Sequence, residues 1–148
     1  MKFVKPRFSI TRELKTRATT QDEALAPLRA ALPWDKRFAG AIATPVSKLK
    51  YTCGNKGHID LFIDVVSDSG GYILKVSATW LHWIQCILIP GAAVLALSCF
   101  RMEIGLFFGA MWLLFIPLWV LNGRRHADQA IKDLTFAYNT GSTKIKVS

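Results

Sequence analysis

VSATWLHWIQCILIPGAAVLALSCF, residues 76–100, and IGLFFGAMWLLFIPLWVLNG, residues 104–123, contain no Asp, Glu, Lys or Arg. Only Arg101, Met102 and Glu103 lie between them. As helices rising about 1.5 Å per residue, both runs are long enough for a hydrocarbon core of roughly 30 Å. The pattern predicts a two-helix transmembrane hairpin over 80–123 with its turn at 101–103. The remainder divides around it: a basic β-α-β-β-β segment at 1–79, and an amphipathic helix with a tail at 124–148 that packs on the first segment.

The chain has 148 residues and a net charge of +9. Residues 1–50 hold eleven Lys/Arg against four Asp/Glu, and residues 124–148 hold five against two. The basic residues therefore flank the open side of the expected hairpin. The positive-inside rule then places both termini in the cytoplasm and the protein in a cytoplasmic membrane, plasma or bacterial inner. The start, Met1 to Arg7, is positively charged but no apolar stretch follows, which predicts no cleavable signal peptide. Three scattered cysteines, Cys53, Cys86 and Cys99, do not suggest a disulfide framework.

Outside the hairpin the pattern is mixed. Phe8, Ile10 and Leu14 alternate with polar residues, predicting a strand over Arg7 to Lys15. Thr20-Gln-Asp-Glu23 is a capping box opening a helix with Ala24, Leu25, Leu28, Ala31 and Leu32 on one face. Pro27 should kink or shorten that helix, Pro33 should end it, and 34–45 reads as a loop. Three further runs, Lys48–Cys53, His58–Val65 and Tyr72–Ala78, alternate with period two. Gly54–Gly57 and Asp68–Gly71 separate them, so they read as an antiparallel meander. Ala127, Ile131, Leu134 and Tyr138 form one helical stripe, Asn139-Thr-Gly141 suggests its stop, and 143–147 alternates like a short strand. The fold class expected is α+β, interrupted by the transmembrane hairpin. This order of elements resembles small bacterial membrane proteins in which a two-helix hairpin is inserted into a helix-grip or PH-like domain. No function follows from that resemblance.

The candidate residues fall into three groups. Gly91, Ala92, Ala96, Gly105 and Gly109 are small residues at helical spacing, suited to close helix packing within the hairpin or between copies. Trp80, Trp83, Trp119, Arg124 and Arg125 suit a membrane interface. His82 stands within an apolar run, and His58, Asp60 and Asp64 share one strand face; these four are the polar residues to which a chemical role could attach. Cys53 and His58 alone supply too few ligands for zinc, so neither a metal site nor a cofactor is expected. P-loop, GxGxxG, GxSxG and HExxH motifs are absent from the sequence.

The expected function is non-enzymatic and acts by binding, as an accessory, regulatory or immunity-type partner of another membrane protein. A membrane-tethered module for lipid or a small ligand is the alternative, and a membrane-surface enzyme using His58, Asp60 and Asp64 the second. The expected partners are a bilayer with anionic headgroups, another membrane protein and, for the small-residue strips, a second copy of the chain. The basic residues lack the aromatic pattern of an RNA-binding sheet, so nucleic acid is not expected.

Overall fold

A computed structural model describes residues 9–16, 18–44, 46–53, 58–80, 89, 91–93, 96 and 102–147. Five strands make one antiparallel sheet: β1 (Ser9–Lys15), β2 (Phe38–Ala39), β3 (Val46–Thr52), β4 (His58–Asp68) and β5 (Gly71–Thr79). Their order across the sheet is β1-β5-β4-β3-β2. Two helices are delimited among the described residues, α1 (Gln21–Ala31) and α2 (Met102–Val147).

The alternation read from the sequence puts one set of side chains on the covered face. Ile59, Leu61 and Ile63 of β4 line up with Leu49 and Tyr51 of β3 and with Val76 and Ala78 of β5, and all are buried. Leu25 and Leu28 of α1 and Ala127, Ala130, Ile131 and Leu134 of α2 close over them. The opposite face carries Lys48, Asp60, Lys75 and Glu13, with Lys48–Asp60 and Lys75–Glu13 pairs at 3.4 and 3.2 Å. Exposed pairs of this kind contribute about 0–1 kcal/mol each. The buried rows hold the sheet to its helices.

Local chemistry sets the ends of α1. The Thr20 hydroxyl accepts from the Glu23 amide at 3.2 Å, and the Glu23 carboxylate accepts from the Thr19 amide at 2.8 Å. The capping box thus reaches back one residue further than the usual form. Those hydrogen bonds to Thr19 lower the Glu23 pKa. Pro27 does not end the helix, which runs on to Ala31, and Pro33 sits in the 3-10 turn Leu32–Trp34 that follows. The expected loop at 34–45 contains the edge strand β2, where Phe38 pairs with Tyr51.

The largest departure concerns the two apolar runs. Among the described residues no helix is long and apolar enough to cross a membrane. The expected transmembrane hairpin, and the integral localisation in a cytoplasmic membrane drawn from it, are therefore corrected. The second run is no separate element: α2 continues through Gly123 and packs its later half into the α+β core. Met102 and Glu103 belong to its first turn, not to a hairpin turn, and Arg101 lies outside the described residues. Trp80, expected at a membrane interface, is only 6% exposed and joins the core at the end of β5. A run without charges suits a transmembrane span, but it can equally be part of a longer helix with a packed half. Of the first run, Ile89, residues 91–93 and Ala96 are helical, and most of the remainder lies outside the described residues. The stop expected at Asn139–Gly141 and the short strand expected at 143–147 are also replaced by continued helix.

Glycine lets α2 close down on its neighbours at two places. A Cβ at Gly123 would meet the Trp80 ring, and one at Gly141 would overlap the backbone carbonyl of Pro27. That carbonyl belongs to a helix and cannot swing aside. Gly141→Ala is therefore expected to destabilise the fold by about 1–3 kcal/mol through overpacking. Leu134→Ala, which opens a cavity at a fully buried position, should cost about 2–5 kcal/mol. Urea denaturation of both variants measures these losses, and a Gly141→Ala curve matching the parent would refute the contact.

Candidate binding surface

The first half of α2 is apolar on nearly every side. Leu114 is 71% exposed, Leu118 59% and Phe115 47%, and Phe107, Met111, Leu113, Trp119 and Leu121 are also exposed. Phe107, Met111, Leu114, Leu118 and Leu121 follow a 4-3-4-3 spacing, which keeps them on one stripe. The buried seam of the same helix, Gly123, Ala127, Ala130, Leu134, Ala137 and Gly141, repeats 4-3-4-3-4. At about 100° per residue the two stripes stand roughly 160° apart. The exposed stripe therefore points away from the sheet. Contiguous apolar surface of this kind marks a contact with something else.

At the lower end of the stripe lies a cleft of about 510 Å³, lined by Ile10, Arg12, Leu121, Arg124, Arg125 and Asp128. Leu121 belongs to both the stripe and the cleft. Asp128 accepts from Arg12 at 2.7 Å and from Lys132 at 2.8 Å. The Lys132 hydrogen bond, aided by Arg12, holds the Asp128 carboxyl below the usual range. Arg124 and Arg125 have no ion-pair partner among the described residues. The residues that line the cleft thus include three arginines and one carboxylate, which is already shared.

A polar clamp sits on the other flank of α2. Asp133 accepts from the Tyr51 hydroxyl at 2.6 Å, from Arg37 Nη1 at 2.7 Å and from the Gln129 amide at 3.0 Å. Arg37 also donates to both carboxylate oxygens of Asp35, at 2.9 and 2.7 Å. This fork lowers the Asp35 pKa and raises that of Arg37. Burial, then the hydrogen bond and charge of Asp133, push Tyr51 up to about 12. Beside the clamp, a second cleft of about 420 Å³ is lined by Arg29, Leu32, Asp35, Lys36, Phe38 and neighbouring residues. Trp34 stands nearby in sequence with 82% of its surface exposed. Period and spacing did not reveal the clamp, because its members come from the turn before β2, from β3 and from α2.

The remaining candidates are dispersed. His58, Asp60 and Asp64 lie on the outward face of β4 with Phe62 between the two aspartates, and their span of six residues is about 20 Å at strand rise. His58 Nε2 lies 3.9 Å from Asp60 Oδ1, whereas Asp64 sits opposite Lys75 and Val46. The three therefore do not converge as one acid–base centre. No group of three His, Cys, Asp or Glu among the described residues could hold a metal ion. Burial raises the Cys53 thiol pKa, which makes it a poor thiolate ligand. Gly91 is buried beneath the Trp112 ring, which leaves no room for a Cβ. Ala92 and Ala96 are exposed, and among the described residues nothing lies within 4 Å of where a Cβ at Gly109 would stand. Gly105 lies in the backbone of α2. His82 and Trp83 lie outside the described residues.

Compared with protein families, with curated proteins and with solved structures, the chain matches none. Its chemistry must be argued from its own surfaces.

The clamp predicts a pH dependence. Tyr51 has an ordinary pKa of 10.0 and a folded value near 12. Neutral Tyr51 therefore contributes stability that is fully present below pH 10 and lost as pH rises towards 12. Asp133→Asn removes the hydrogen-bonding carboxylate and its charge and should lower the Tyr51 midpoint. Ultraviolet titration of phenolate in a Tyr72→Phe/Tyr138→Phe background measures it. An unchanged midpoint in Asp133→Asn would show that Asp133 does not govern Tyr51.

Proposed function

We propose that the chain acts by binding, and that the exposed stretch of α2 from Phe107 to Leu121 is the surface its partner covers. The observation that carries this reading is a continuous apolar stripe that ends among arginines. An anionic lipid surface matches both halves: the stripe meets apolar tails, and Arg12, Arg124 and Arg125 meet headgroups. This reading requires no helix to cross a bilayer. It places the α+β layer in a supporting role, holding the stripe outward at a fixed angle. A second reading, an accessory or regulatory protein that binds another protein, is favoured by Trp34. Exposed aromatic side chains of that size serve as anchors in protein interfaces.

Flotation of the full chain with vesicles tests the proposal. With phosphatidylcholine–phosphatidylglycerol vesicles the parent should float with the lipid. Leu114→Asp/Leu118→Asp removes two side chains from the stripe, each worth about 1.5–3 kcal/mol on burial. Its affinity should fall at least about a hundredfold, with an unchanged circular dichroism spectrum because both positions are exposed. Equal flotation of parent and variant would refute the assignment of the stripe. Recovery of a stoichiometric protein partner by the parent, with no flotation, would favour the second reading.

A further inference from the structure

We infer that the cleft formed by Ile10, Arg12, Leu121, Arg124, Arg125 and Asp128 seats the phosphate of a single anionic lipid. The inference rests on the lipid reading above and assigns the headgroup chemistry. Its basis is the imbalance of partners around Asp128. That carboxylate lies 2.7 Å from Arg12 and 2.8 Å from Lys132, and among the described residues Arg124 and Arg125 have no ion-pair partner. Arg124 and Arg125 of α2 and Arg12 of β1 all line one cleft of about 510 Å³. Their mutual repulsion is relieved by an anion that accepts from more than one of them. A phosphate does so, because its oxygens match the paired N–H groups of a guanidinium fork.

The walls of the cleft narrow the class further. Ile10 and Leu121 are apolar, and Leu121 continues into Leu118, Leu114, Met111 and Phe107 on one helical stripe. From Leu121 to Phe107 the helix rises about 21 Å. An acyl chain laid along that track starts at the arginines and never leaves apolar surface. A free phosphate uses only the arginine end, and a neutral lipid only the track. The ligand that uses both is an amphiphile with a phosphate head.

Three probes separate these sources: phosphatidylcholine vesicles, phosphatidylcholine vesicles containing phosphatidic acid, and inorganic phosphate as a soluble competitor. The variant Arg124→Gln/Arg125→Gln should lose about thirtyfold in affinity for the phosphatidic acid vesicles, the effect of two surface cations. Its affinity for phosphatidylcholine alone should not change. Arg124→Lys/Arg125→Lys keeps the charge but loses the fork, so it should also bind phosphatidic acid vesicles more weakly than the parent. A control pair, Lys15→Gln/Lys50→Gln, removes two exposed cations elsewhere and should lose much less than the arginine pair. If the control loses as much, or the lysine variant binds like the parent, the seat is overturned while the lipid reading stands. If inorganic phosphate displaces the vesicles completely, the ligand is a free phosphate and the lipid inference is overturned. Failure of the parent to bind any vesicle would sink the lipid reading and the seat with it.

Discussion

The close approach of α2 to the sheet and to α1 is the constraint on which the rest of the molecule depends. It is possible because the buried seam alternates large and small residues. Gly123 admits the Trp80 ring, Gly141 admits the Pro27 carbonyl, and Ala127, Ala130 and Ala137 keep the intervening backbone near its neighbours. Ile131 and Leu134 fill the space that remains. Glycine inside a helix costs about 1 kcal/mol relative to alanine. Two of them are retained along this seam because a methyl group at either position would strike a neighbouring residue. Pro27 contributes through the same contact: α1 tolerates it, and its carbonyl lies where α2 crosses.

The core seam and the exposed stripe lie on one uninterrupted helix, so seating the seam also aims the stripe. The later half of α2 is the covering layer of an α+β domain, and the earlier half is an extension whose apolar side chains meet little of that domain. Between them, where the helix leaves the sheet, stand Arg124 and Arg125, with Arg12 reaching over from β1. Cations at that junction are costly to bury and easy to hydrate, so they mark where packing ends. They also give the apolar extension a charged base. The combination of greasy track and cationic base determines the class of partner that can satisfy both.

The antiparallel strands were legible from the sequence because alternation is a local signal. The covered faces of β3, β4 and β5 follow the period-two pattern residue by residue, and the capping box at Thr20 and Glu23 sits at the start of α1. The stripe Ala127, Ile131 and Leu134 was equally plain at helical spacing. What failed was the inference from apolar length to a membrane span. Absence of charge between 104 and 123 is a statement about composition, whereas the packing of α2 at Gly123 is against Trp80, 43 positions earlier in the chain. The edge strand β2 was illegible because two residues carry no period. The clamp was illegible because Arg37, Tyr51 and Asp133 meet only in three dimensions. Arg124 and Arg125 were identifiable from the sequence, but the contribution of Arg12 and Ile10 to their cleft was not.

Two carboxylates five positions apart on α2 explain how the helix is held against rotation. At about 100° per residue Asp128 and Asp133 fall on opposite flanks of the buried seam. Asp128 takes Arg12 from β1, at one edge of the sheet, and Asp133 takes Arg37 and Tyr51 from the end where β2 and β3 lie. Neither tie is deeply buried, and pairs of that kind add little to stability. They add to an orientation that the seam already sets, since rolling the helix would expose Ile131 and Leu134 and turn a side chain onto the Pro27 carbonyl. Held from both edges, it keeps Ile131 and Leu134 inward and Leu114 and Leu118 outward. The exposed stripe is thus oriented by charges on both flanks of the helix, and one of these pairs, Arg12 with Asp128, also lines the cleft at its base.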